Sequence, residues 1–153
     1  MRHIAIRMFL LSCCVILTLT AGAKLYSATD HVGILEVTDP LLGVSNRALL
    51  WTVGVLELGI AVFLLAGKND IIKCACVGWL ALNFALYRLG MFWLHPGKLC
   101  PCLGTLTHKL HLKPETANWI LWLIVIYMLS GSVFFLVREW QHRRFRKILS
   151  PVK

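Results

Sequence analysis

Two cysteines, Cys100 and Cys102, lie one residue apart in a short stretch between two long apolar runs, Lys98–Gly104 (KLCPCLG). Two thiols at this spacing can close a small, strained ring, and strain makes a disulfide easier to reduce. Such a disulfide suits exchange with the thiols of a partner better than it suits holding a fold together. We therefore predict thiol–disulfide exchange at this pair. A structural bridge and two inert free thiols are the alternatives.

Histidines near the pair offer a second chemistry. Cys100, Cys102, His108 and His111 together supply two sulfur and two nitrogen ligands for a metal ion. Their spacing differs from that of the common zinc modules, whereas a CxC pair with nearby histidines also suits copper. We predict no metal in the main site and retain metal handling as an alternative. In the exchange interpretation, a histidine or Lys98 stabilises one thiolate instead.

Two ionisable residues, Glu57 and Arg88, interrupt the apolar runs. A charge at membrane depth is costly unless it faces the interior of a bundle and finds a partner. At 1.5 Å per residue, Glu57 lies roughly 14 Å below Ala48 and Arg88 roughly 9 Å below Leu94. We predict that Glu57 and Arg88 meet beneath the cysteine pair, with Lys24 as the other candidate partner of Glu57. The pair either moves protons to the thiols or is a structural ion pair.

The composition determines which elements position these residues. Of 153 residues, 58% are hydrophobic and only 15% are charged, which is too apolar for an ordinary soluble domain. No apolar run alternates with a period of two, so helices rather than a barrel are expected. We predict one all-α domain, an integral membrane four-helix bundle, followed by a basic tail at 138–153. The predicted helices cover about 4–23, 48–66, 71–94 and 117–137.

The first run also has the form of a cleavable secretory signal, with Arg2 and Arg7 before it and Ala21-Gly22-Ala23 at its end. Three further membrane runs follow it. A retained first helix is therefore the simpler interpretation.

Basic residues predict the orientation of the bundle in the inner cell membrane. If both termini face the cytoplasm, that side holds most of the basic residues: Arg2, Arg7, Lys68, Lys73, Arg138, Arg143, Arg144, Arg146, Lys147 and Lys153. The opposite side holds Lys24, Arg47, Lys98, Lys109 and Lys113. This arrangement places Cys100 and Cys102 on the exoplasmic face, where disulfides persist. It also explains the net charge of +9 without nucleic acid as a partner.

Four further cysteines lie within the apolar runs: Cys13, Cys14, Cys74 and Cys76. Free cysteines are common as small hydrophobic residues in apolar helices, and we expect that role here. The alternative is an electron relay across the membrane to Cys100 and Cys102. Such a relay needs direct contact between thiols or a carrier such as a quinone.

Four short motifs, in order and at their spacing, resemble the MauE/DoxX group of four-helix membrane proteins, and the MauE side more closely. They are Gly22–Leu25 (GAKL), Leu56–Gly59 (LELG), Arg88–Gly90 (RLG) and Cys100–Gly104 (CPCLG). Proteins similar to MauE are linked to methylamine utilisation and to maturation of a disulfide-rich dehydrogenase subunit in the periplasm. Proteins similar to DoxX are linked to quinone and sulfur redox chemistry. The resemblance thus implies the four-helix fold, a working cysteine pair and, as the one cofactor it suggests, a quinone.

These observations together predict a membrane protein that takes part in thiol–disulfide exchange while a periplasmic redox protein matures. Its partners would be the lipid bilayer and that periplasmic client. Cys100, Cys102, Glu57 and Arg88 are the expected site residues. Two alternatives stay open: a non-enzymatic scaffold subunit of a redox complex, with the cysteine pair as a local clamp, and an exoplasmic metal-handling protein.

Overall fold

A computed structural model describes the backbone of residues 2–29, 35–39, 41–94 and 114–149. Side chains are described for 4–29, 35–39, 41–94, 116 and 118–141. These residues form four helices: α1 (Arg2–Ala28), α2 (Asn46–Ala66), α3 (Asp70–Leu94) and α4 (Pro114–Leu149). Within these ranges the β-type pairing is a single isolated bridge between Thr38 and Ser45. The prediction of an all-α four-helix bundle is confirmed.

All four helices are long and apolar enough to cross a membrane. The spans are Ile4–Ala28, Asn46–Ala66, Asp70–Leu94 and Asn118–Gln141. The shortest has 21 residues, which at 1.5 Å per residue matches a hydrocarbon core of about 30 Å. Large apolar side chains such as Leu19, Leu65 and Leu123 are exposed on the outside of the bundle. This is the surface of a multi-pass protein whose surroundings are lipid.

Two helices extend beyond their predicted ends. α1 continues past Ala23 to Ala28, so that Lys24 lies within the helix. α4 continues past Val137 to Leu149. Residues 138–149 contain no Gly or Pro and are rich in Arg, Glu, Gln and Lys, which favour helix, whereas Pro151 follows shortly after Leu149. The charged tail therefore begins as a continuation of the last helix.

The helices pack as two pairs. α1 lies mainly against α2, and α3 mainly against α4, while contacts between the pairs are fewer. Small residues allow the close approach within each pair: Gly54 of α2 lies under Leu25 of α1, and Gly78 of α3 lies under Ser132 of α4. The tightly packed core lies in the half of the bundle nearer the chain termini. In the other half the sparser packing between the pairs leaves room for a cavity.

The connection between α1 and α2 includes a folded hairpin, residues 35–39 and 41–45. Within it, the Asp39 N–H donates to Val44 O (2.7 Å) and the Gly43 N–H donates to Asp39 O (2.9 Å). Gly43 adopts φ +67°, a left-handed conformation that glycine allows at little cost. Ser45 then caps α2, because its side chain accepts a hydrogen bond from Ala48 N. The hairpin thus ends directly at the start of α2.

Candidate functional site

A cavity of about 460 Å³ lies between the helices, in the half of the bundle that holds the hairpin. Apolar side chains from all four helices form most of its walls, together with Leu41 and Leu42 of the hairpin. A few polar side chains also line it: Thr20, Lys24, Asn46, Glu57, Asn83, Tyr87 and Arg88. A largely apolar pocket with a few convergent polar groups is the usual form of a small-molecule site.

Glu57 lies in the wall of this cavity and is paired with Lys24. The Lys24 Nζ donates to Glu57 Oε1 across 2.5 Å, and Glu57 is only 1% exposed. The pair joins α1 to α2, at the level where Gly54 lets these two helices approach closely. The second carboxylate oxygen, Oε2, is buried and accepts no hydrogen bond from the described residues. As far as the described residues show, this oxygen therefore stays available as an acceptor.

Arg88 lies in the same cavity wall but on the other helix pair. Its Nη2 donates to both the backbone oxygen (3.2 Å) and the side-chain oxygen of Asn118 in α4. Its guanidinium also lies over the ring of Trp122, 5.1 Å from the ring centroid. Within the described part of the chain, no acidic side chain is paired with Arg88. Among the described residues, neutral oxygens and an aromatic ring therefore solvate this buried cation.

The predicted pairing of Glu57 with Arg88 is wrong. Both residues line one cavity, but Glu57 takes Lys24 as its partner and Arg88 takes Asn118. The physical reason is the pairing of the helices, which packs α1 closely against α2 and leaves the cavity between α2 and α3. Lys24, the other candidate partner named from the sequence, is the residue that reaches Glu57.

A third polar contact, between Asp39 and Tyr87, is not predicted by the sequence pattern. The Tyr87 hydroxyl donates to Asp39 Oδ2 (2.5 Å), while Asp39 Oδ1 accepts from Leu41 N (2.9 Å) and Leu42 N (3.0 Å). Asp39 is almost completely buried. The contact fastens the hairpin to α3 beside the cavity. An Asp before Pro in a connection was the available signal, but it indicates a turn and not a partner 48 residues away.

Leu41 completes this attachment. Its side chain lies against Gly90 of α3, where an added Cβ would be 3.1 Å from Leu41 Cδ1. Leu41 and Leu42 both line the cavity. The hairpin thereby covers the end of the cavity that is farther from the chain termini.

The other predicted site residues, Cys100 and Cys102, lie outside the described residues, as do His95, Lys98, His108 and His111. Their roles in exchange or in metal binding stay predictions. The structure does describe the residues on either side. Arg88 in the last turns of α3 and Asn118 near the start of α4 precede and follow the segment that carries the two cysteines.

The cysteines within the helices are free thiols in the structure. Cys13, Cys14 and Cys74 are buried and Cys76 is half-buried. The first three belong to the tightly packed core, where the Cys14 thiol donates to Ala61 O (3.5 Å). No group of three or more metal-ligating side chains occurs in the part of the chain that the structure describes. Packing as small apolar residues accounts for these positions.

Comparisons of this chain with family models, curated proteins and solved structures gave no match. The resemblance to the MauE/DoxX group therefore stays a prediction based on the short motifs.

Proposed function

We propose that this chain is a membrane redox protein in which Cys100 and Cys102 exchange a disulfide with a periplasmic client during the client's maturation. In this proposal both termini face the cytoplasm, and the cysteine pair faces the exoplasmic side of the inner membrane. The single observation that most supports it is the largely apolar cavity between the helix pairs, with its few polar groups. Arg88 of α3, in its wall, donates a hydrogen bond to Asn118 of α4, and these two helices flank the cysteine segment.

The exchange is balanced in thiols and electrons. Two thiols of the client become a disulfide as the disulfide of Cys100 and Cys102 becomes two thiols. Renewal of the cysteine pair then releases two electrons and two protons, so a two-electron acceptor is needed. Cys13, Cys14 and Cys74 pack in the half of the bundle nearer the termini, and we assign them no part in this renewal.

The cavity fits the quinone that the resemblance suggests. A bound quinone would supply the acceptor of two electrons and two protons. The protein's own residues provide a complementary site, since Lys24 and Arg88 carry N–H donors suited to a carbonyl oxygen. Glu57 Oε2, which accepts no hydrogen bond from the described residues, is an acceptor for a hydroxyl group. The apolar walls around this polar set would accommodate a ring and its chain.

The redox state of the pair in living cells tests this function. Rapid acid quenching followed by alkylation with a mass-tagged maleimide separates reduced from oxidised Cys100 and Cys102. The matched variants Cys100→Ser and Cys102→Ser show which part of the alkylation signal comes from this pair and which part comes from the four cysteines of the helices. A working pair is expected in both forms and moves toward the oxidised form when the client is absent. A pair that stays oxidised under all conditions would contradict the proposal.

A second candidate function is a non-enzymatic scaffold, favoured by one structural feature. Three buried polar contacts near the cavity join different elements: Lys24 with Glu57, Arg88 with Asn118, and Asp39 with Tyr87. Contacts of this kind would also fix the geometry of a subunit whose only role is to hold the other subunits of a complex in place. A scaffold predicts that Cys100→Ser lowers the amount of assembled complex without changing the thiol state of any client.

Metal handling is the third possibility raised by the sequence, and its ligands would be Cys100, Cys102, His108 and His111. It predicts copper or zinc bound in stoichiometric amount to the purified protein, and loss of that metal in Cys100→Ser. Elemental analysis of the two proteins separates this function from thiol exchange.

A further inference from the structure

The walls of the cavity differ in their exposure from one helix to the next. Side chains contributed by α1 and α4 are buried or half-buried. Among the described lining residues, the exposed ones come from the hairpin, α2 and α3: Leu42, Leu56, Trp79, Asn83 and Leu86. The cavity is therefore open on one side, between α2 and α3.

This opening lies at membrane depth. Leu56 is in the middle of α2, and Trp79, Asn83 and Leu86 lie along one face of α3, within spans that cross the membrane. α2 and α3 also make few contacts with each other, whereas α1 packs closely against α2. The exposed side chains at the rim, apart from Asn83, are apolar. The surroundings that the opening meets are thus acyl chains and not water.

The hairpin limits access from the water at the neighbouring end of the bundle. Asp39 is fixed to Tyr87, and Leu41 lies on Gly90. Both contacts join the α1–α2 connection to α3 above the cavity. A ligand from the aqueous phase would have to displace this hairpin, whereas a ligand from the lipid would meet only side chains.

The charged groups of the lining, Lys24, Glu57 and Arg88, are buried and have unused capacity for hydrogen bonds as far as the described residues show. One N–H of Lys24 is used by Glu57 Oε1, and the hydrogen bonds of Arg88 to Asn118 both involve Nη2. Among the described residues of the lining, the charged side chains are two cations and one anion. Such a set favours a head group that is mainly a hydrogen-bond acceptor.

We infer that this cavity takes its ligand from the bilayer, between α2 and α3, and binds an amphiphile with an acceptor-bearing head and an apolar chain. The head lies at Lys24, Glu57 and Arg88, and the chain leaves the site between Leu56 and Leu86. This inference deepens the proposed function, because it assigns the source and the shape of the molecule that this site would hold. It concerns binding alone and does not require the cysteine pair to react.

Photo-cross-linking of the full chain in phosphatidylcholine vesicles tests the inference. The probe is a benzoquinone with a decyl chain that carries a diazirine, and the labelled residues are mapped by mass spectrometry. Labels are expected on the cavity-facing side of α2 and α3, around Leu56 and Leu86. Excess unlabelled decylbenzoquinone should lower this labelling about tenfold. A decyl diazirine without a head group should label the outer surfaces and should not be displaced.

Two matched variants make the test specific to the opening. Leu86 and Leu89 are both exposed on α3, at 59% and 45%, but only Leu86 lines the cavity. Leu86→Trp should narrow the opening and lower cavity labelling about tenfold. Leu89→Trp should stay close to the wild-type level. Both changes are on the lipid-facing surface, so both proteins should fold.

Three results would overturn the inference: equal labelling with and without the head group, no displacement by excess quinone, or the same loss in Leu89→Trp as in Leu86→Trp. Its failure is distinguishable from failure of the proposed function. Displaceable cavity labelling with a cysteine pair that never cycles would retain the site and reject thiol exchange. A cysteine pair that cycles, in a protein labelled only on its outer surfaces, would retain thiol exchange and reject the site.

Discussion

Lys24 and Glu57 form a buried ion pair that joins α1 to α2, with 2.5 Å between Nζ and Oε1. Both side chains are removed from solvent, and both line the cavity. Two charges inside a membrane bundle neutralise each other only while the helices keep their register. The pair therefore links the geometry of the cavity to the packing of the helix pair that forms half of its wall.

The first prediction concerns the stability that depends on this pair. Replacing Glu57 with Gln leaves the Lys24 ammonium buried without its counter-charge, and should lower the free energy of unfolding by about 3–5 kcal/mol. Lys24→Met leaves the Glu57 carboxylate buried without its counter-charge and should lower the free energy of unfolding by a similar amount. The double variant Lys24→Met with Glu57→Leu should be less affected than the sum of the single changes. Unfolding in SDS mixed micelles measures all of these, and additive losses would contradict direct pairing.

The second prediction concerns the attachment of the hairpin to α3. Tyr87→Phe removes the hydroxyl that donates to Asp39 and should weaken the attachment by about 1.5–3 kcal/mol, because one partner is a charged group. Amide hydrogens of residues 41–45 should then exchange faster than in the parent protein. Tyr127→Phe is the matched control, because Tyr127 bonds to Ser12 instead. Unchanged exchange in Tyr87→Phe would show that Leu41 on Gly90 alone holds the hairpin.

The sequence is sufficient for the architecture, because four apolar runs of membrane-spanning length leave a helical bundle as the only fold that satisfies the backbone. It also predicts that Glu57 and Arg88 face inward, since a charge facing lipid is too costly. Depth along a helix follows from counting residues. The rotation of each helix about its own axis and the choice of its neighbouring helix cannot be obtained by counting residues. These two properties decide that Glu57 meets Lys24 and not Arg88.

The contact between Asp39 and Tyr87 shows a different limit. Asp39 lies in a connection and Tyr87 in a membrane helix. Each residue has an ordinary explanation by itself, as a turn former and as an interfacial aromatic residue. Their contact depends on how the hairpin folds back over the bundle, a tertiary property that no local pattern encodes.

The third prediction concerns the junction between α3 and α4. Asn118→Leu removes the side-chain oxygen that Arg88 binds and should speed amide exchange in the last turn of α3 and the first turns of α4 about tenfold or more. Asn83→Leu is the matched control on α3, because the Asn83 amide bonds only within its own helix, to Trp79 O, among the described residues. Equal effects of the two changes would show that Arg88 does not tie the helices together.

The fourth prediction uses two glycines to test how the helix pairs meet. A Cβ added at Gly131 of α4 would overlap the ring of Phe9 of α1, which is buried between Tyr127 and Phe135. The ring has little freedom to move, so Gly131→Ala should force the two pairs apart and lower the free energy of unfolding by about 1–3 kcal/mol. A Cβ at Gly59 of α2 would have no neighbour within 4 Å. Gly59→Ala should therefore be neutral or stabilising by up to about 1 kcal/mol, since alanine favours helix.

The comparison of these two variants isolates the contact from the general effect of alanine in a membrane helix. If the pairs meet at Phe9 and Gly131, only Gly131→Ala lowers the midpoint of unfolding in SDS mixed micelles. Phe9→Leu in the same background should recover part of the loss, because a smaller side chain leaves room for the added methyl group. A Gly131→Ala protein as stable as Gly59→Ala would show that α1 and α4 do not approach each other here. The core that closes the bundle below the cavity would then need a different arrangement.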